Sequence, residues 1–156
     1  MSAAPLSRDA RADLVTALAR AVLTSRGWDT VGPRIAPHHT LRTPLPYFRP
    51  EPGLRGLRQL AAIVLPALTD VEVTVGPTLV DGRRVAMQFA VTGKHTGSFG
   101  LERPTDRVLR LTGLVESAFD PDLVDLTSST VHVDLVHLLR QMDAVEVRGY
   151  APDTRA

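Results

Sequence analysis

The stretch Val71-Glu72-Val73-Thr74-Val75, followed by Asp81-Gly82 and then Val85-Ala86-Met87-Gln88-Phe89-Ala90-Val91, decides the fold. Apolar side chains recur at every second position on both sides of an Asp-Gly pair, a favoured signal for a two-residue hairpin turn. The spacing predicts two antiparallel strands with one apolar face. Downstream, Leu109, Leu111, Gly113, Val115 and Phe119 share a face of a third strand. A last strand is expected from about Asp125 to Val133, running into a short helix that carries Leu135, Leu138, Leu139 and Met142.

Upstream the apolar period is helical. Leu14, Val15, Leu18, Val22 and Leu23 predict a helix over Asp9 to Arg26, with Ser7 or Asp9 as N-cap and Gly27 as its stop. Leu54, Leu57, Leu60, Ala61 and Val64 form the stripe of a second helix, from about Gly53 to Leu68. The stretch between them, Pro33 to Pro52, is broken by Pro37, Pro44, Pro46 and Pro50 and reads as an ordered loop. Helices first, then an antiparallel meander, then a closing helix is an α+β order. The expected architecture is a curved antiparallel sheet, a cone or half-barrel, covered by the N-terminal helices. The short C-terminal helix completes it, and the whole encloses an apolar pocket. Residues 1–148 are expected to form a single domain and residues 149–156 a short tail.

Composition narrows the function classes. A chain of 156 residues with 44% hydrophobic and 22% charged side chains suits a globular domain with a core. A formal net charge of +1 gives no electrostatic footprint for nucleic acid or an anionic membrane surface. Cysteine is absent, which removes disulfides and thiolate metal sites. Met1 to Arg8 lacks the apolar run of a signal peptide, and the longest apolar run, Leu60 to Leu68, is interrupted by Pro66 and too short to span a bilayer. A cytoplasmic protein is the expectation. No HExxH, P-loop or Rossmann glycine pattern is present, so neither metal nor nucleotide cofactor is expected.

Two segments carry a resemblance. Val91-Thr92-Gly93-Lys94-His95-Thr96-Gly97-Ser98-Phe99-Gly100, followed by Pro104-Thr105, resembles the T-G-x-H-x-G-x-F and P-T stretches of the SnoaL-like polyketide cyclases. Val133-Asp134-Leu135 through Leu138-Leu139-Arg140-Gln141-Met142 resembles that family's closing v-x-D-x-x-x-L-L-x-Q-L-G, and Gly113 matches its strand glycine. The family belongs to the nuclear-transport-factor-2-like superfamily of α+β cones. This sequence departs from the family in carrying Asp106 and Asp143 at two glycine positions. It also carries Thr130 at an aromatic position and Arg42 where a histidine often precedes the loop proline.

The resemblance implies a cofactor-independent cyclase that closes a ring in a polyketide-like intermediate by intramolecular aldol chemistry. It assigns the acid–base role to Asp134, which would remove the activated proton and return one to the new alkoxide. Without the resemblance, Asp134 reads as a plain helix N-cap. His132 lies two residues away on the same strand face, where it would tune Asp134 or stabilise the oxyanion; an interior hydrogen-bonded histidine fits as well. His95 continues the parity of Val85 to Val91 and should point inward, as a pocket residue or a turn-stabilising one. Arg42 would hold a carboxylate or carbonyl, or be a solvated loop arginine. Met87, Phe89, Leu111 and Thr130 are expected on the pocket wall. His38 and His39 are expected to be exposed, and Glu116 to face outward. Alternatives are epoxide opening on the same fold, or a non-catalytic ligand-binding or dimerisation module. A homodimer or higher oligomer is expected through the outer sheet face, where Leu114, Val131 and Val133 are placed.

Overall fold

The protein is described by a computed structural model covering residues 3–145. The expected domain end at residue 148 and the tail 149–156 lie outside the described residues. Helix α1 spans Arg8–Thr24. Ser7 caps it by accepting a hydrogen bond from the Ala10 amide at 3.1 Å, and Ser25 ends it in the left-handed region at φ 61°. A short helix α2, Trp28–Val31, leads through a 3-10 turn into strand β1, Ile35–Arg42. Helix α3 spans Leu54–Val64 and ends in a 3-10 turn, Leu65–Ala67. Strands β2 (Leu68–Asp81), β3 (Arg84–His95), β4 (Val108–Phe119) and β5 (Leu126–Val133) follow, and helix α4 spans Leu135–Gln141.

The hairpin Asp81-Gly82 joins β2 to β3 as expected, with Gly82 at φ 51°. The sheet order is β1-β5-β4-β3-β2. One feature differs from the expected antiparallel sheet, while its open edges agree with the expected half-barrel. Strand β1 lies inside the proline-rich stretch and pairs in parallel with β5, so the sheet is mixed. Strands β1 and β2 are both edges, so the sheet stays open. Pro37 survives inside β1 because an edge strand needs ladder bonds on one side only.

Helices α1 and α3 cover one face of the sheet. Val15, Val31, Val85, Met87 and Leu126 are wholly enclosed in the core beneath them, with Leu57 nearly so. Each such side chain contributes roughly 1.5–3 kcal/mol of burial. The inward parity expected for Val85, Met87, Phe89 and Val91 holds, and Glu116 and Leu114 face outward, opposite Val115.

Strand β5 ends opposite Gly113, so the outer half of β4 loses its partner on that side. The Gln141 side chain takes the vacant place. Its amide oxygen accepts from the Arg110 N–H at 2.8 Å and its nitrogen donates to the Arg110 carbonyl at 2.7 Å. An ion pair between Arg107 and Asp143 at 2.6 Å adds a second tie between β4 and the end of α4.

Candidate active site

Helix α4, held in this way, closes one wall of a cavity between the sheet and α1 and α3. Leu18, Val22, Leu57, Leu60, Val64, Phe89, Val91, Leu111, Val131, Val133, Leu135, Leu138 and Met142 form most of its lining. Its volume is about 130 Å³, close to the size of a cavity that holds one benzene ring. The polar side chains on its wall are His95, Ser129 and Thr43. Phe89 and Leu111 line it as expected, whereas Met87 lies deeper in the core, fully buried, with the Thr16 hydroxyl 3.3 Å from its sulfur. Gly113 shapes the wall: a Cβ there would lie 2.6 Å from Phe89 Cζ and 2.6 Å from the His132 carbonyl oxygen. Only glycine lets the Phe89 ring cross β4 at that point.

His95 is 0% exposed. Its main chain is clamped by hydrogen bonds from its N–H to the Arg107 carbonyl and from the Asp106 N–H to its own carbonyl, at 2.8 and 2.9 Å. Its Nδ1 lies 3.1 Å from the Thr105 hydroxyl and accepts from the Thr105 N–H at 3.3 Å. An accepting Nδ1 puts the hydrogen of the neutral ring on Nε2. Nε2 is buried and has no protein partner. His95 belongs to the cavity wall, but the accessible surface of that wall is apolar, so Nε2 lies just behind it. The two sequence stretches that hold His95 and Pro104-Thr105 are thus in direct contact.

The remaining expected site residues face elsewhere. Strand β5 is registered so that Val131 opposes Val115 and Val133 opposes Gly113, which turns Ser129, Val131 and Val133 into the cavity. Thr130, His132 and Asp134 consequently point to the outer face. The expected pocket position of Asp134, His132 and Thr130 is corrected on this point, as is the outward position of Val131 and Val133. Alternation separated the two sets; burial favours the valines on the inside. Asp134 is exposed and caps α4, its Oδ1 accepting from the His137 amide at 2.8 Å. With His132 it borders a shallow outer depression that also includes Thr74, Gln88 and Leu114. Arg42 is exposed at the end of β1, in register with Thr130, and is also absent from the cavity wall.

Sequence reasoning missed a buried polar group. His39, expected to be exposed, is 0% exposed. Its Nε2 lies 3.0 Å from the Ser129 hydroxyl, which lies 3.0 Å from the Ser117 hydroxyl. Burial, with a smaller effect from His38, pushes the His39 imidazole from 6.5 down to about 4, so it is neutral near pH 7. The signal was present in the parity of His39 with Leu41, but it has meaning only once the segment is known to be a strand.

A family model for SnoaL-like polyketide cyclases matches residues 12–142. The chain belongs to the SnoaL-like polyketide cyclase family. Solved structures agree on the fold. AclR, a proposed hydroxylase from Streptomyces galilaeus, is 18% identical over 94% of this chain and 87% of its own, with a TM-score of 0.73. TsrD from Streptomyces laurentii is 18% identical over 90% of this chain and 99% of its own, also at 0.73. IdmH, a proposed polyketide cyclase from Streptomyces antibioticus, is 21% identical over 85% of this chain and 97% of its own, at 0.66. No curated protein sequence matches the chain.

Within this SnoaL-like chain the two departures from family glycines have one physical explanation. Asp106 and Asp143 both sit at φ 57°. Asp is among the few non-glycine residues that tolerate this left-handed conformation. Family membership supports a polyketide cyclase-type role. No helix among the described residues is long and apolar enough to cross a membrane.

Proposed function

We propose that the protein binds an oxygenated, mostly apolar polyketide-like intermediate in the α1–α3–sheet cavity and promotes ring closure there, with His95 as the electrophilic group. The observation that carries this reading is the buried, unpartnered Nε2 of His95, a residue of the cavity wall; a ligand oxygen reaches it when the apolar surface in front of it gives way. In an aldol closure, negative charge develops on the oxygen of the enolate and then on the alkoxide. A fixed donor in a water-poor site stabilises both. Among the described residues no carboxylate lines the cavity. Asp134 therefore takes no part in the proton transfers, and this reading assigns the chain stabilisation of the developing oxyanion by His95 alone. The same lack of an inward carboxylate removes the support for epoxide opening. The cavity encloses one ring, so a longer substrate extends through its mouth.

A second reading, a non-catalytic binding module, is favoured by the exposed, helix-capping Asp134. One experiment separates the two. A short linear diketone, with carbonyls spaced for six-membered ring closure, is incubated with the protein and the cyclic enone is followed by absorbance. Closure above the buffer rate that is lost in His95→Ala supports catalysis. Binding of the diketone without acceleration supports the module. Self-association through the outer sheet face remains part of the proposal, resting now on Leu114, which lies opposite Gln88 and diagonal to Ala86 and Ala90, rather than on the inward valines. Light scattering at micromolar concentration that gives the monomer mass overturns it.

A further inference from the structure

Strand β5 runs parallel to β1 and antiparallel to β4, and β4 runs antiparallel to β3. Strands β1, β3 and β5 therefore point the same way, and the chain leaves all three at one end of the sheet. Each exit supplies part of the cavity wall: Leu45 after β1, Phe99 after β3, and Leu135 in α4 after β5. The loops after β1 and β3 thus border the cavity at that end. In the order β1-β5-β4-β3 they stand three strand spacings apart, about 14 Å.

These two loops carry the most exposed large hydrophobic side chains among the described residues. Tyr47 is 99% exposed and Leu101 is 98% exposed. Each stands two positions beyond a wall residue, Tyr47 after Leu45 and Leu101 after Phe99, so their Cα atoms lie within about 7.6 Å of the wall residue's own. Both are held in place by the backbone. Tyr47 sits at φ 63°, an uncommon conformation for an aromatic residue. Leu101 lies at the tip of a two-residue turn with Gly100 at φ 59°. The turn is closed by the Phe99 N–H on the Glu102 carbonyl at 3.0 Å and the Glu102 N–H on the Phe99 carbonyl at 2.9 Å. A single exposed apolar residue needs no explanation. Two at full exposure, on the two loops that border one apolar cavity, do.

We propose that Tyr47 and Leu101 form the outer half of the ligand site and receive the apolar part of the ligand that the cavity does not enclose. The inference rests on the cavity being the ligand site, as proposed above. A cavity of about 130 Å³ holds one ring. A ligand that continues past Leu45 and Phe99 enters the space between the two rim loops. There Tyr47 offers an aromatic face and Leu101 an aliphatic one, and contact removes apolar surface from water on both partners. The left-handed backbone at Tyr47 and the tight turn under Leu101 fix both residues before the ligand arrives, which lowers the cost of ordering them. The ligand class is an apolar compound of at least two rings, or one ring with a chain of similar length. One ring sinks into the cavity and the rest lies across the rim, where its oxygens stay in water.

The test uses toluene, a single ring of the size that the cavity encloses, and 4-benzylphenol, which carries a second ring on the methyl carbon and a hydroxyl at its outer end. Affinities are measured by calorimetry in the full chain, for the wild type and for the double variant Tyr47→Ser with Leu101→Ser. Both replaced side chains lie in solvent, so the variant is expected to keep the wild-type circular dichroism. 4-Benzylphenol is expected to bind the wild type more tightly than toluene and to lose about three- to tenfold in the variant, the worth of an aromatic contact. Toluene affinity should stay unchanged. Equal affinities of the two probes for the wild type, an unchanged 4-benzylphenol affinity in the variant, or an equal loss for both probes overturns the rim assignment while leaving the cavity reading intact. Light scattering that gives a dimer for the wild type and a monomer for the variant overturns it as well, because the rim is then a contact between copies. Failure of both probes to bind the wild-type protein overturns the cavity reading and this inference with it.

Discussion

Thr105 fixes the tautomer of His95: its N–H donates to His95 Nδ1 at 3.3 Å, with its hydroxyl 3.1 Å from the same atom. The other ring nitrogen, Nε2, is thereby made a donor by a residue ten positions along the chain, across the loop that follows β3. A ring held at its main chain and at Nδ1 loses little freedom when Nε2 meets a ligand oxygen, which is the condition for electrostatic stabilisation without reorganisation.

Replacing His95 tests that arrangement. His95→Ala is expected to lower the rate of diketone closure by about a hundredfold, the scale of losing one oxyanion donor. Thr105→Val removes the hydroxyl but keeps the backbone N–H on Nδ1, so it should cost much less. Equal losses in the two variants, with both folded by circular dichroism, would show that His95 only braces the loop.

Asp134 is expected to behave as a cap. Asp134→Asn should leave both melting temperature and closure rate nearly unchanged, because Asn caps about as well as Asp. Asp134→Ala should cost about 1 kcal/mol of stability with no separate rate defect. A hundredfold rate loss in a folded Asp134→Asn variant would return the acid–base role to this residue.

His39 makes stability depend on acid. Its folded imidazole titrates at about 4, whereas in the unfolded chain it titrates near 6.5. Between those values the unfolded chain binds the extra proton, so stability rises with pH. The contribution is fully present above about 6.5 and is lost as pH falls toward about 4, with a total on the order of 3 kcal/mol. Denaturant midpoints measured across this window should fall in the wild type and flatten in His39→Gln. Parallel curves would mean that the ring is protonated in the folded state. The Arg107–Asp143 pair, which lowers the Asp143 carboxyl below its usual 3.8, titrates below this window and leaves it clear.

Gln141 should matter more than an exposed helix-end glutamine does. Gln141→Ala removes both bonds to the main chain of Arg110 and is expected to cost about 1–3 kcal/mol. The Arg110 amide should exchange faster with solvent, and the wall formed by Leu138 and Met142 should loosen, which raises the off-rate of a bound probe. Unaltered exchange at Arg110 would show that water replaces the side chain without loss.

Much of this protein is written in local pattern. Leu14, Val15, Leu18 and Val22 place α1, and Ser7 starts it. The alternation from Val85 to Val91 around the Asp81-Gly82 turn places the β2–β3 hairpin. These features involve residues a few positions apart, so helix and strand periodicity expose them directly. The inward position of His95 followed from the same alternation, and the family resemblance was legible in the residues around it.

What local pattern left open was decided by pairing between distant segments. Period two splits β5 into Val131 and Val133 against Thr130, His132 and Asp134. It does not say which set faces the helices; the register of β5 on β4 does, and a shift of one residue exchanges the faces. His39 sits in a proline-broken stretch that becomes a strand only because β5 offers it a parallel edge, 90 residues away at Ser129. The sequence by itself thus determined α1, α3, β2 to β5, α4 and the family, but not β1. The tertiary structure decided which side chains meet in the cavity, because the free energy of burying the valines and joining β1 to β5 is gained only when those segments come together.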